Sequence, residues 1–431
     1  MHLPSRRLAA GSALGALVLV LTVGAGAVPA AAASGEIHFR IAGGGAPALP
    51  DSPSNGAVLR LKNGTEIAAA LVRKTSGGPP RLEIYRHASG AAHWTHHLGG
   101  SSSGFKQAVA RVPLKNVRIT LALSPNHKYV DVVVDACRYG LVASTLATVG
   151  PTIKGKLKRA FAAPQPYGCS LAQQSEHSGK GFVGSTPIPY GEFGLLAAVF
   201  NGNGASPVVG FSQPGNGFGS LTSLPVVADA EGKPVRVVAT GVARDPKTGE
   251  LIVVGAGADN NAYAWTTFLT QSDSGELNGD WSSPQLIYAG VAGAETGVAS
   301  VAAYGGTVFV GIDQDTSNAP VRALDNTMGY VERSGDGTWS AFANVPHSGA
   351  HDLWGPVEFN PSSGSLHATW TRATAYGKAG TPLSFALRHA VLAHGTWSTA
   401  KVLVNHRVID AVTSLALTAQ GHPVVGYVSG S

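Results

Sequence analysis

Asp280-Trp281-Ser282, Thr338-Trp339-Ser340 and Thr396-Trp397-Ser398 set a tryptophan in the same context three times, with 58 residues between successive copies. A tight polar turn precedes each one: Leu277-Asn278-Gly279-Asp280, Ser334-Gly335-Asp336-Gly337 and Ala393-His394-Gly395. A strand-like segment follows each, at 284–288, 341–345 and 400–404. Two equal spacings with matching flanks define a repeat, and a repeat governs every later reading of the chain.

Upstream of each tryptophan stands a pair of short apolar or alternating segments joined by a Gly-containing turn, which is a hairpin signature. Such pairs occur at 57–72, 195–212, 237–255, 299–311, 357–370 and 414–428. A seventh, at 117–135, has the different turn Ser124-Pro125-Asn126-His127. The unit therefore reads hairpin, third strand, polar turn, Trp-bearing fourth strand. Four antiparallel strands repeated in this way close into a ring that protects its own sheet edges. The expected fold is all-β, a β-propeller of seven four-stranded blades. The count becomes six if 117–135 and the irregular stretch to Pro187 form one distorted blade. Nothing follows the last hairpin, so its blade lacks outer strands. Glu36-Ile37-His38-Phe39-Arg40-Ile41-Ala42 looks like the third strands at 82–88 and 385–390. This N-terminal strand is expected to complete the last blade.

Composition supports strands over helices. The 431 residues include 56 glycines and 26 prolines, and only 13% are charged. Long amphipathic helices would need more Glu, Lys, Leu and Gln than this. The chain opens with Arg6 and Arg7, an apolar run from Leu14 to Val28 and the small residues Ala30 to Ala33. That order describes a secretory signal peptide, 1–33, ahead of a single propeller domain, 34–431. The protein is then secreted and extracellular, with no membrane span in its mature part and a monomer as the expected state. Without Arg6 and Arg7, 29 basic residues face 25 acidic ones, too mild a balance for a nucleic-acid partner. Cys137 and Cys169 are the only cysteines, and in an oxidising compartment they are expected to form a disulfide.

Arg333-Ser334-Gly335-Asp336-Gly337-Thr338-Trp339 resembles the Asp-box of sialidase-type propellers, roughly Ser-x-Asp-x-Gly-x-Thr-Trp, one residue short. Ala88-Ser89-Gly90-Ala91-Ala92-His93-Trp94 keeps the Ser, Gly and Trp without the acid. The resemblance implies a structural device. Ser334 and Asp336 satisfy turn amides, Gly337 permits positive φ, and Trp281, Trp339 and Trp397 plug the space between blades. The same family clamps a carboxylate with arginines, the first in a Phe/Tyr-Arg-Ile-Pro segment. Phe39-Arg40-Ile41-Ala42 matches that segment without its Pro, and Arg40 also aligns with Arg86, Arg333 and Arg388 on third strands.

Candidate chemistry is sparse. Tyr190-Gly191-Glu192 supplies a Tyr–Glu pair, with Arg236 and Arg244 further on, as a sialidase-type catalytic set would need. Asp313-Gln314-Asp315-Thr316-Ser317-Asn318 has oxygen ligands spaced like the start of a calcium loop. It lacks the glycine and closing glutamate of such loops, so a solvated rim loop is the expectation and no metal or cofactor is assigned. Asp259-Asn260-Asn261 occupies the corresponding place one repeat earlier, followed by Tyr263. His347, His351 and Asp352 are read as polar surface. The expected function is an extracellular binding module for glycan or a protein partner. Its contacts are placed at Asp259, Asn260, Asn261, Tyr263, Asp313, Asp315 and Asn318. An exo-acting glycosidase of sialidase type is the alternative.

Overall fold

The structure is a computed structural model. It describes residues 37–43, 47–50, 53–61, 63–72, 81–100, 117–123, 129–135, 141–149, 152–154, 181–188, 195–201, 206–212, 218–271, 277–291, 294–315, 326–349, 352–376, 382–407, 409–418 and 420–430. The leader 1–33, both cysteines, Tyr190, Glu192, Asn318 and His351 lie outside the described residues. The described residues form strands and turns, without helix.

Among the described residues, seven antiparallel sheets of three or more strands follow one another along the chain, beside two two-stranded ribbons. Sheet one is Asn55–Arg60, Glu66–Val72, Arg81–His87 and Thr95–Gly100. Sheet two is Arg118–Leu123, Tyr129–Asp135, Leu141–Val149 and Thr152–Lys154. Sheet three is Gly181–Ile188, Leu195–Asn201, Val208–Ser212 and Phe218–Ser223. Sheet four is Val237–Arg244, Leu251–Gly257, Ala262–Thr267 and Gln285–Tyr288. Sheet five is Glu295–Tyr304, Thr307–Asp315, Asn326–Arg333 and Ala343–Asn344. Sheet six is Leu353–Phe359, Leu366–Tyr376 and Pro382–Ala393, with Thr396–Trp397 and Lys401–Arg407 both paired to the third strand. Sheet seven joins Ile409–Leu417 and Pro423–Gly430 to the N-terminal Ile37–Gly43, in continuous register from Ile37↔Gly430 to Gly43↔Val424.

The first strand of each sheet packs against the first strand of the next, and that of sheet seven packs against that of sheet one. Both faces of a sheet are thereby covered. A strand buried on both faces reads as an unbroken small or apolar run instead of an alternating one. Ile67-Ala68-Ala69-Ala70-Leu71-Val72 and Leu251-Ile252-Val253-Val254-Gly255-Ala256-Gly257 are such runs, buried at every position. The core is divided accordingly. Each hydrophobic cluster spans two neighbouring sheets, as Phe309 and Met328 of sheet five do with Trp354 and Trp370 of sheet six.

The repeated tryptophans occupy these seams. Trp281 packs with the cluster shared by sheets three and four, Trp339 with sheets four and five, and Trp397 with sheets five and six. Trp397 meets Tyr330 edge-on at 5.6 Å, and Trp339 donates its indole N–H to Gln285 at 3.0 Å. The serine after each tryptophan has a role of its own. Ser282, Ser340 and Ser398 each donate a backbone N–H to a third-strand carbonyl and accept a third-strand N–H on Oγ. In all three the hydroxyl stands in for the carbonyl that a continuing fourth strand would offer.

The turn at Ser334 is built as its residue types require. Asp336 Oδ1 accepts the Ser334 hydroxyl and the Thr338 N–H, and Gly337 has φ +88°. Those bonds hold the exposed Asp336 carboxyl below its usual pKa. Arg333, just ahead of it, reaches across the seam with a buried bidentate bond to Glu250 of sheet four.

Two expectations change. The pair at 195–212 forms strands two and three of its sheet, because Gly181–Ile188 supplies the first strand. A Pro-led apolar run suits any strand covered on both faces, so its likeness to 423–429 does not give its place in the sheet. Leu277–Gly279 is no tight turn but pairs with Leu269–Gln271 as a two-stranded ribbon.

Arg333→Met leaves the Glu250 carboxylate buried without its cation, and urea denaturation is expected to show a loss of about 3–5 kcal/mol. The double change Arg333→Met with Glu250→Met should restore most of that loss. An Arg333→Met variant as stable as the parent would contradict this role.

Candidate functional site

A meander reverses at every turn, so each second-to-third turn lies at the same end as the connection to the next sheet. At this rim sheet four carries Asp259-Asn260-Asn261. Asn260 takes φ 65°, a left-handed conformation that Asn tolerates. Asp259 accepts the Asn261 backbone N–H at 3.2 Å, its side-chain amide at 2.9 Å and the Tyr263 hydroxyl. Asn261 Oδ1 accepts the Gly290 N–H at 3.0 Å. Burial, and then the bond to Asp259, push the Tyr263 phenol up to about 12, so it stays a neutral donor. Asn260 holds the turn through its backbone, while the polar groups of Asp259, Asn261 and Tyr263 serve one another and the connection toward sheet five.

The next stretch of the rim differs. Thr307–Asp315 remains extended to its last residue, paired Asp315↔Asn326. Asp313 to Asp315 of the expected rim loop are therefore strand, and the rest of it, with Asn318, lies outside the described residues. Asp313 is 4% exposed. Its cross-strand partner is Gly297, whose missing side chain leaves that flank of the strand bare. The Trp354 backbone N–H donates to the Asp313 carboxyl. Asp352, expected at the surface, is completely buried where the chain enters sheet six. Its Oδ2 accepts the Gly349 N–H at 3.0 Å, and Arg372 Nε stands 3.8 Å from Oδ1. His347 is exposed with φ 61°, and its carbonyl accepts Arg372 Nη1 at 2.9 Å.

Burial drives the carboxyls upward. Asp313 rises to about 8, against the pull of the Trp354 N–H and with a further push from the charge of Asp352. Asp352 rises only to about 6, because the Gly349 N–H, Arg372 and Arg388 favour its anion. On the opposite face of sheet five, Gln314 bonds the Tyr288 phenol and pairs across the strands with Thr296.

Four buried atoms at this rim have no hydrogen-bond partner among the described residues: Asp313 Oδ1, Asp352 Oδ1, Gln314 Nε2 and Thr296 Oγ1. A buried orphan costs about 1–3 kcal/mol, and native folds hold few of them. Sequence reasoning passed over Arg372 and read Arg388 only as a third-strand arginine aligned with Arg40. The available signal was an arginine inside an apolar strand, two places from Trp370 in the case of Arg372.

The remaining candidates lie apart. Arg40 is exposed on the outermost strand of sheet seven and donates Nε to Ser429 Oγ at 3.1 Å. Arg236 is exposed ahead of the first strand of sheet four. A set of three arginines with a Tyr–Glu pair is not assembled among the described residues. At the other end of sheet six, His367 Nδ1 and His389 Nε2 are 3.0 Å apart and buried. Burial lowers both, His389 to about 4.

No protein-family model and no curated protein matches this sequence. Solved structures do match in fold. The BP39L lectin from Burkholderia pseudomallei superimposes with a TM-score of 0.51 at 13% identity, over 85% of this chain and 89% of the lectin. A polysaccharide lyase, an ulvan lyase bound to -[GlcA(1-4)Rha3S]-, superimposes with a TM-score of 0.53 at 12% identity, over 91% of this chain and 95% of the lyase. At such identities the likeness concerns the fold.

An unfolded Asp titrates near 4 while folded Asp313 keeps its proton to about 8, so folding is increasingly penalised as pH rises through that interval. Asp313→Asn removes the penalty, and its gain in Tm over the parent should grow from pH 5 to pH 8. A constant difference would contradict the buried neutral acid. The histidines act oppositely: their contribution is lost as pH falls from about 6.5 toward 4, and His389→Asn should flatten that acid limb.

Proposed function

We propose that residues 34–431, exported after removal of 1–33, form an extracellular seven-bladed β-propeller that binds glycan at the rim carrying the second-to-third turns. The cyclic packing of first strands and the pairing of Ile37–Gly43 with Pro423–Gly430 support the ring. Export fits a chain whose two cysteines, Cys137 and Cys169, are proposed to pair as a disulfide. Among the described residues no helix is long and apolar enough to cross a membrane.

The observation that carries the binding reading is a rim on which carboxyl, amide and phenol groups gather, with Asp259, Asn261 and Tyr263 on sheet four. Hydroxyl-rich ligands match such a set, because each hydroxyl both donates and accepts. A lectin and a polysaccharide lyase are built on a similar fold, which makes carbohydrate the ligand class of choice. Binding is preferred to sialidase-type hydrolysis because Arg40 and Arg236 stand on separate, exposed elements.

Purified 34–431 is expected to give saturable signals on a glycan array and to leave a fluorogenic sialoside intact. Turnover of the sialoside would replace the binding reading with the hydrolase one.

A further inference from the structure

Three titratable side chains, Glu358, His367 and His389, stand together on sheet six, at the end away from Asp352. Glu358 is the cross-strand partner of His367, and His389 is the partner of Thr369, two residues from His367. Cross-strand partners and alternate residues share a face, so all three point the same way. Leu387, two residues before His389, packs with Val425 and Tyr427, which makes this face the one turned to sheet seven. The sheet-seven turn at 418–422 closes over the end of it. A Cβ on Gly421 would stand 2.9 Å from Asn360 Nδ2 and 3.8 Å from the His367 ring, and Gly421 has φ +77°. Only glycine fits so close and so turned.

His367 and His389 are each 5% exposed, and Nδ1 of the first lies 3.0 Å from Nε2 of the second. That bond uses one N–H and one lone pair, so at least one of the two rings is neutral. A second proton would set two donors face to face. Even a first proton finds no compensation in the surroundings. On the first strand the acid is Glu358, whose carboxyl burial pushes up to about 8, so it is already neutral where histidines charge. On the edge strand Lys401 is the partner of His389, and its charge opposes another cation. Sheet seven offers Val412, Leu415, Val425 and the Tyr427 phenol. Asp410 lies at the far end of its strand, and His422 of the turn is exposed. A buried charge without a partner is costly, and here the nearest water lies beyond the 418–422 turn.

We propose that His367 and His389 form an acid-sensitive latch: when they charge, the 418–422 turn lifts and the seam between sheets six and seven opens while other seams stay packed. Neutral, the two rings tie the second strand of sheet six to the third and leave an apolar face for sheet seven. Charged, they must reach water, and the turn over His367 is the part that can move without breaking a sheet. Sheet seven also carries Ile37–Gly43, so the latch acts where the two ends of the chain meet. Acid therefore loosens one seam before it unfolds the whole protein. The device stands whatever ligand the protein binds.

A ring that titrates near 6.5 when open and about 4 when closed makes opening roughly fiftyfold easier at pH 4.5 than at pH 7. The test is hydrogen exchange of 34–431 at those two pH values, corrected for intrinsic rates. Amides of 366–369 and 417–424 are expected to lose about that factor of protection, while 251–254 and 308–312, between sheets four and five, change by less than about threefold. His389→Asn, with His389→Gln as the milder replacement, should hold the latch amides within about threefold of their neutral values. An equal loss in both seams of the parent would overturn the latch, whether or not the variants fold. Unchanged protection of 417–424 at pH 4.5 would overturn it too, as would a full loss there in a folded variant.

Discussion

Each sheet of this protein is too narrow to have an inside. Its two faces are both apolar, and a neighbour must cover each of them, so the structure depends on packing between sheets more than within any one. The demand is met only when the last sheet also finds a partner. That is why the first strand of sheet seven packs on sheet one, and why Ile37–Gly43 is taken up as the outer strand of the final sheet. The abundance of Gly and Ala follows from the same constraint: central strands approach others on both sides, as the entirely buried Glu66–Val72 does.

Polar residues in the seams divide into two kinds. Arg333 with Glu250, and Asp245 with the Gly306 N–H, are matched across the seam and fasten one sheet to the next. Asp313, Asp352, Trp370 and Arg388 each leave an atom unmatched, all between sheets five and six. Unmatched atoms also occur on the fastening residues themselves, as at Arg333 Nε, so such an atom does not by itself mark a binding residue.

Much of the fold was legible because the repeat is written in residues that have only one use. The Trp-Ser pairs at 281, 339 and 397 mark the same junction three times, and the N-terminal strand resembles its counterparts closely enough to be placed. The position of 195–212 within its sheet was not legible, since its pattern fits any strand covered on both faces. The site was read less well. Asp259, Asn261 and Tyr263 have the residue types of a binding loop, yet they form a self-contained turn. Asp352 looked like surface beside His347 and Gly349, and its burial arises from sheet five, which local sequence does not report. Trp370 and Arg388 have unused atoms only in three dimensions.

Hydrogen exchange on 34–431 addresses the proposed closure of the ring most directly. If the seams depend on closure, amides of Ile37–Gly43 that pair with Pro423–Gly430 open only when the ring opens, and they should show the same protection as that strand. Rapid exchange across 37–43 beside a protected 423–430 would show a ring that holds without its closing strand, and would contradict the dependence of the seams on closure.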